Sequence, residues 1–313
     1  MGLVVAFAAA FAAVLLLTPL ARRASFALGV LDHPGPLKVQ REPVAYLGGA
    51  AVFGALAAVL APWHPSWIVP LALAAGLGLA DDIRTISARS RLVMQCSVGA
   101  VAAMVAPAPG AAGWAVTAVL VVVLVNAVNL IDGMDGLAST VVAICAVGFA
   151  VVGGKPALPA VAVCGALVGF LAFNRPPARI YLGDAGSYLL GTVLALLGAT
   201  ALHGRPHAVW VALPLFVALP LADTAIAVLR RWRNRRPLFA GDRSHVYDQL
   251  ADRGWPIVRV LAACAAVQLA ATAAGLVSWH LGAVGAPAVT GAFVVIAAVT
   301  VWKTGFVAER ATT

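Results

Sequence analysis

The sequence predicts an all-α fold: a polytopic membrane helical bundle of about eleven transmembrane helices, N-terminus outside and C-terminus cytoplasmic. Three observations carry this expectation. Hydrophobic residues make up 62% of the 313 and charged ones only 11%, with a mean hydropathy of +0.97, far from the roughly 25% charge of soluble domains. Apolar runs close to the ~20 residues that a bilayer crossing needs recur along the whole chain, separated by short polar clusters. The charges then fall on alternate connections. One integral membrane domain over residues 1–313 accounts for all three, because the charged surface of a soluble domain this long is missing.

Taken in order, the spans fall near residues 3–20, 45–62, 66–80, 92–108, 113–131, 137–153, 157–173, 187–203, 208–229, 256–279 and 283–302. The first has no basic stretch before it and no small-residue cleavage pattern, so it reads as a retained helix. Gly and Pro mark most breaks. With the connections numbered alternately, every Lys and Arg except Lys155 and Arg205 lies on one side, which the positive-inside rule makes cytoplasmic. All 12 Asp and Glu lie on or near that same face, although acids contribute little to orientation. This face is the candidate reaction surface, and it also accounts for the net charge of +9 without a nucleic acid partner. Cys96, Cys145, Cys164 and Cys264 sit in apolar runs without metal or disulfide spacing and read as small core residues.

Three strings on that face could carry chemistry. Asp81 and Asp82 follow a Gly-rich apolar helix and precede Arg89, Arg91 and Gln95; the pair suits a hard cation or phosphates, against a solvated helix end. In the string NAVNLIDGMDGL, Asn126 and Asn129 share a helix face that Asp132 continues, and Asp135 follows after a glycine. Such groups can also glue helices together. In FNRPPARIYLGDAGS, small residues around Asp184 let backbone approach a ligand and the next helix start offers N–H groups to an anion; an ordinary capped turn reads the same. Asp223 lies inside the ninth span, functional by default unless paired. The Arg230–Arg236 run reads as a topological anchor and anionic-lipid contact, and His245 as a lone loop histidine.

In this order the strings, with LDHPGPLKVQREPVAYLGG, DDIRTISARSRLVMQ and DRSHVYDQL, resemble the polyprenyl-phosphate N-acetylhexosamine-1-phosphate transferase family, which includes the lipid-I-forming transferase of peptidoglycan synthesis. The resemblance covers nearly the whole chain. Eleven spans and an inward C-terminus look like the branch that transfers GlcNAc phosphate. It implies Asp81 and Asp82 as the catalytic pair and Asp184 with Asp81 as ligands of Mg²⁺, or of Mn²⁺ in its place. Asn126, Asn129, Asp132 and Asp135 would hold the nucleotide sugar, Lys38 and Arg91 would lie near phosphates, and Asn174 and His245 would add substrate contacts. The implied partners are a UDP-HexNAc, polyprenyl phosphate and membrane lipids, with a homodimer compatible, at the plasma membrane with the site facing the cytoplasm. This sequence departs from the family at Gln40 for a His, at Arg91 for a Lys, and in the last loop, where a His-rich string reads His245-Val246-Tyr247-Asp248. The rival expectation is a transporter or flippase of anionic or lipid-linked solutes, which would set binding groups near the midplane between repeats.

Overall fold

A computed structural model describes residues 2–35, 40, 42–84, 86–106, 110–204, 207–237 and 244–307. Its elements run α1 (Leu3–Leu28), β1 (Leu31–Asp32), β2 (Val44–Ala45), α2 (Gly48–Leu60), α3 (Pro65–Ile83), α4 (Ala88–Val105), α5 (Gly110–Ile131) and α6 (Leu137–Val152). They continue with α7 (Ala157–Asn174), α8 (Gly183–Leu202), a 3₁₀ turn (His207–Ala212), α9 (Leu213–Phe216), α10 (Ala218–Arg233), α11 (Val246–Asp252) and α12 (Ile257–Thr304). Among the described residues six helices, α1, α3, α5, α7, α8 and α12, are long and apolar enough to cross a membrane, or seven if a bent pair counts as one. The chain is a multi-pass membrane protein.

The bundle is built around α8, which is buried from Ala185 to Leu202. Helices α2, α3, α5 and α6 pack against it, and α4 touches it more lightly. Glycines permit the approach: a Cβ on Gly49 would stand 2.2 Å from the Gly186 nitrogen, and one on Gly78 2.1 Å from the Asp184 carbonyl oxygen. Small residues that let backbones meet are the usual interface of membrane helices, where burial from water supplies no drive.

One element differs from the sequence expectation. The ninth span is not one helix but Trp210–Phe216 and Ala218–Arg233, bent by 84° at Val217. Pro220 has no N–H to give the Phe216 carbonyl. Gln268, fully buried on α12, enters the gap: its Nε2 donates to the Leu215 and Phe216 carbonyls at 3.4 and 3.1 Å, and its Oε1 accepts from the Leu219 N–H at 2.9 Å. The bilayer interior offers no water for those groups, so a side chain must serve them. In α12 the expected break between spans 256–279 and 283–302 is present: its 48 residues would extend about 72 Å if straight. Yet Arg253, before its start, donates to the Thr304 carbonyl at 2.7 Å and stacks on Phe306 at 4.5 Å. The helix therefore folds back at Gly282 (φ 63°, ψ −154°), where Ser278 Oγ donates to the Ala286 carbonyl at 3.1 Å.

Alternate connections meet at one end of the bundle. β1 and β2 pair antiparallel with Leu31 opposite Ala45, and Ala45 bridges to Ile180. Arg22 Nε donates to the Arg179 carbonyl at 3.2 Å, the Ala178 N–H to Asp135 Oδ2 at 2.8 Å, and Gln249 Nε2 to the Phe306 carbonyl at 3.0 Å.

Candidate active site

At that end α3 delivers its last turn onto the start of α8. Because Gly78 has no side chain, Asp82 sits over the α8 N-terminus, where Oδ1 accepts from the Asp184 N–H at 2.8 Å and Oδ2 from the Ala185 N–H at 3.0 Å. A carboxylate there satisfies two of the donors that every helix start leaves free and meets the positive end of its dipole. Gly183 (φ 71°) completes the turn, and a Cβ there would lie 2.9 Å from Asp82 Oδ2.

Asp81, one residue earlier, points differently. Its Oδ1 accepts from the Ile86 N–H at 3.0 Å, and its Oδ2 from the Tyr188 hydroxyl at 2.8 Å and from Arg91 Nη1 at 3.3 Å. The Asp81 side chain is 4% exposed and that of Arg91 35%, so Arg91 is the more accessible member of the pair. The Asp184 carboxyl lies within hydrogen-bonding reach of Asp81, and its Oδ1 accepts from Asn129 Nδ2 at 2.6 Å; the same amide reaches Ser187 Oγ at 3.1 Å. α3, α5 and α8 thus converge Asp81, Asp82, Asn129 and Asp184.

Asp132, on the loop after α5, feels the same cluster. Burial, then the charges of Asp184, Asp82 and Asp135, hold its carboxyl well above the ordinary range. Burial also raises Asp135, which the Ala178 N–H partly offsets, and pushes the Tyr181 phenol up to about 12. Other residues singled out from the sequence go elsewhere. Asn126 Nδ2 bonds Gln95 Oε1 at 2.7 Å and the Val122 carbonyl at 2.8 Å. Asn174 is buried, accepting from Ser139 Oγ and donating to the Ile180 carbonyl, both at 3.0 Å, so it braces the loop before α8. His245 starts α11 and faces Asp223 of α10, Nδ1 to Oδ2 at 2.5 Å, while the Val246 N–H donates to Asp223 Oδ1 at 2.8 Å. Asp223 is therefore paired. Lys38 lies outside the described residues.

Sequence reasoning missed Tyr188, and it named Gln95 and Ser187 within its strings without giving either a role. Tyr188 stands four residues after Asp184, on one helix face with it, and that spacing was the available signal. Among the described residues no set of three His, Cys, Asp or Glu forms a ready metal cage. Asp81 and Asp184 nonetheless suit Mg²⁺, which takes one or two carboxylates and completes its shell with water and substrate phosphate. Two carboxyls in contact also require a proton or a cation between them.

Residues 64–202, which hold Asp81, Asp82, Asn129, Asp132 and Asp184, match the family model described as glycosyl transferase family 4. A probable undecaprenyl-phosphate N-acetylglucosaminyl 1-phosphate transferase of Bacillus subtilis is 28% identical over 275 residues, covering 79% of this chain and 77% of that protein. A phospho-N-acetylmuramoyl-pentapeptide-transferase of Deinococcus radiodurans is 36% identical over 98 residues, 30% of this chain and 28% of that one. A putative glycosyltransferase of Streptomyces coelicolor is 30% identical over 299 residues, covering 90% of this chain and 71% of its own length. With relatives matching along its length and the family model spanning the acidic cluster, the chain belongs to glycosyl transferase family 4.

Proposed function

We propose that the protein transfers a HexNAc-1-phosphate, GlcNAc-1-phosphate by preference, from a UDP-sugar to a polyprenyl phosphate, giving polyprenyl-diphosphate-sugar and UMP. The observation that carries this is the convergence of Asp81, Asp184 and Asn129, with Arg91 open beside them, at one end of the bundle. The names of the relatives agree with it. In the reaction an oxygen of the lipid phosphate forms a bond to the sugar-bearing phosphorus and the bond from that phosphorus to the UMP oxygen breaks. The acceptor needs no general base, since a phosphate monoester with a second pKa near 6 is mostly dianionic at pH 7.

Two anions must be brought together, and like unit charges 4 Å apart repel by about 4 kcal/mol at an effective dielectric near 20. Mg²⁺ held by Asp184 and Asp81 would offset that repulsion and the charge that develops on the leaving phosphate. Arg91 adds fixed positive charge. Asp82 keeps the α8 start, and with it Asp184, in place. Asn129 aligns the Asp184 carboxyl, and Asp132 and Asp135 lie where the nucleotide sugar would rest.

The proposed setting is the plasma membrane with this face cytoplasmic. If α12 counts as two passes, the bent pair as one, the short α2 and α6 as one each and the less apolar α4 as one, the total is eleven, with the N-terminus outside. The test is UMP release from UDP-GlcNAc and other UDP-HexNAc donors with polyprenyl phosphate in detergent. Wild-type protein releases UMP only with Mg²⁺ or Mn²⁺, and Asp184→Asn releases none while unfolding at the wild-type temperature. Near-normal turnover in Asp184→Asn would remove the metal assignment, and no UMP from any donor would remove the function.

A further inference from the structure

α10 and α11 form a braced unit outside the stretch that matches the family model. Asp223, 2% exposed, takes both the His245 imidazole and the Val246 N–H, which pins the first turn of α11 to α10. The Tyr247 ring lies parallel to that imidazole, centroids 5.7 Å apart at 7°. Its hydroxyl donates to the Leu130 carbonyl at 3.1 Å, one of the carbonyls that the end of α5 leaves without an intrahelical partner. The ring also covers the next loop residue: a Cβ on Gly133 would fall 2.1 Å from the hydroxyl oxygen and 3.0 Å from the ring carbon bearing it. Gly133 is flanked by Asp132, whose carboxyl senses the charges of Asp82 and Asp184. A buried aromatic thus clamps the one loop that carries both Asp132 and Asp135.

We propose that Tyr247 is a positioning residue for the donor subsite, held by Asp223 through His245 and setting through the Leu130–Gly133 backbone where Asp132 stands against the nucleotide sugar. The inference rests on the proposed function. It separates Tyr247 from residues that touch the phosphates, and it gives the altered last loop a task. Errors of about 1 Å in such placement cost up to roughly 100-fold in rate.

The test is a mutant cycle on purified full-length protein. Tyr247→Phe raises the KM for the UDP-HexNAc donor about 3- to 10-fold, as loss of one hydrogen bond implies, and leaves the KM for polyprenyl phosphate within 2-fold. Gly133→Ala impairs donor use more severely. In the double variant, where the hydroxyl no longer meets the new methyl, donor KM lies below the product of the single effects. Hydrogen exchange in peptides covering residues 129–136 quickens in Tyr247→Phe. An unchanged donor KM, equal rises in both KM values, or strictly multiplicative single effects would each overturn the proposal. Should the wild type release no UMP, the function falls, and unchanged exchange in residues 129–136 would overturn the clamp on its own.

Discussion

Adjacent aspartates with the same chemistry take different work because the backbone aims them apart. Asp82 accepts two backbone N–H groups and is committed to the α8 start, whereas Asp81 is shared among Tyr188, Arg91 and the Ile86 N–H and abuts Asp184. No reading of the letters Asp-Asp distinguishes them; the division follows from how α3 meets α8 at Gly78. Asp132 offers a test through pH. Its folded carboxyl binds its proton more tightly than the unfolded chain does, so the folded state carries the extra proton, and stability falls as pH rises from about 4 through the raised value. Asp132→Asn has no proton to lose. Its Tm in detergent matches the wild type near pH 4 and exceeds it increasingly toward pH 8. A difference that is flat with pH, or of the opposite sign, would show that Asp132 is charged at little cost.

The helices were legible in the sequence wherever continuous apolar length defines them, and apart from 208–229 the intervals read as spans lie, among the described residues, mostly on helix. What hydropathy could not disclose is a break inside an apolar run. Residues 208–229 read as one span because Val217 and its neighbours are as apolar as a straight helix would be, and only Pro214 and Pro220 hinted otherwise. The partner that makes the bend tolerable, Gln268, is a single amide about fifty residues downstream, invisible to any local pattern. Gln268→Leu would leave the Leu219 N–H and two carbonyls unpaired, so a loss of about 3 kcal/mol is expected from denaturant or thermal unfolding. A loss under about 1 kcal/mol would mean the bend is held by packing alone. The site divides in the same way. The acids and Asn129 were visible as strings, while Tyr188 passed as core because a tyrosine in an apolar helix usually is, and the Asp223–His245 pair joins residues that only the tertiary fold brings together.

Across the whole molecule, the contacts joining alternate connections, and the return of α12 to its own starting end, place residues 253 and 304 together. With cysteines introduced at those two positions in a background lacking Cys96, both react from the same side of sealed vesicles, and a Cys at Gly282 reacts from the other. Equal access from one side to all three would reverse the folding back of α12. The wrapping of α8 has a further consequence, for biogenesis. A segment with no lipid-facing side cannot wait in the bilayer as an independent span once it leaves the translocon. It must slide into a slot that the segments synthesised before it have already framed. Nascent chains arrested just before residue 183 should therefore be recognised as unfinished by quality-control proteases, and release of the next twenty residues should end that susceptibility in one step.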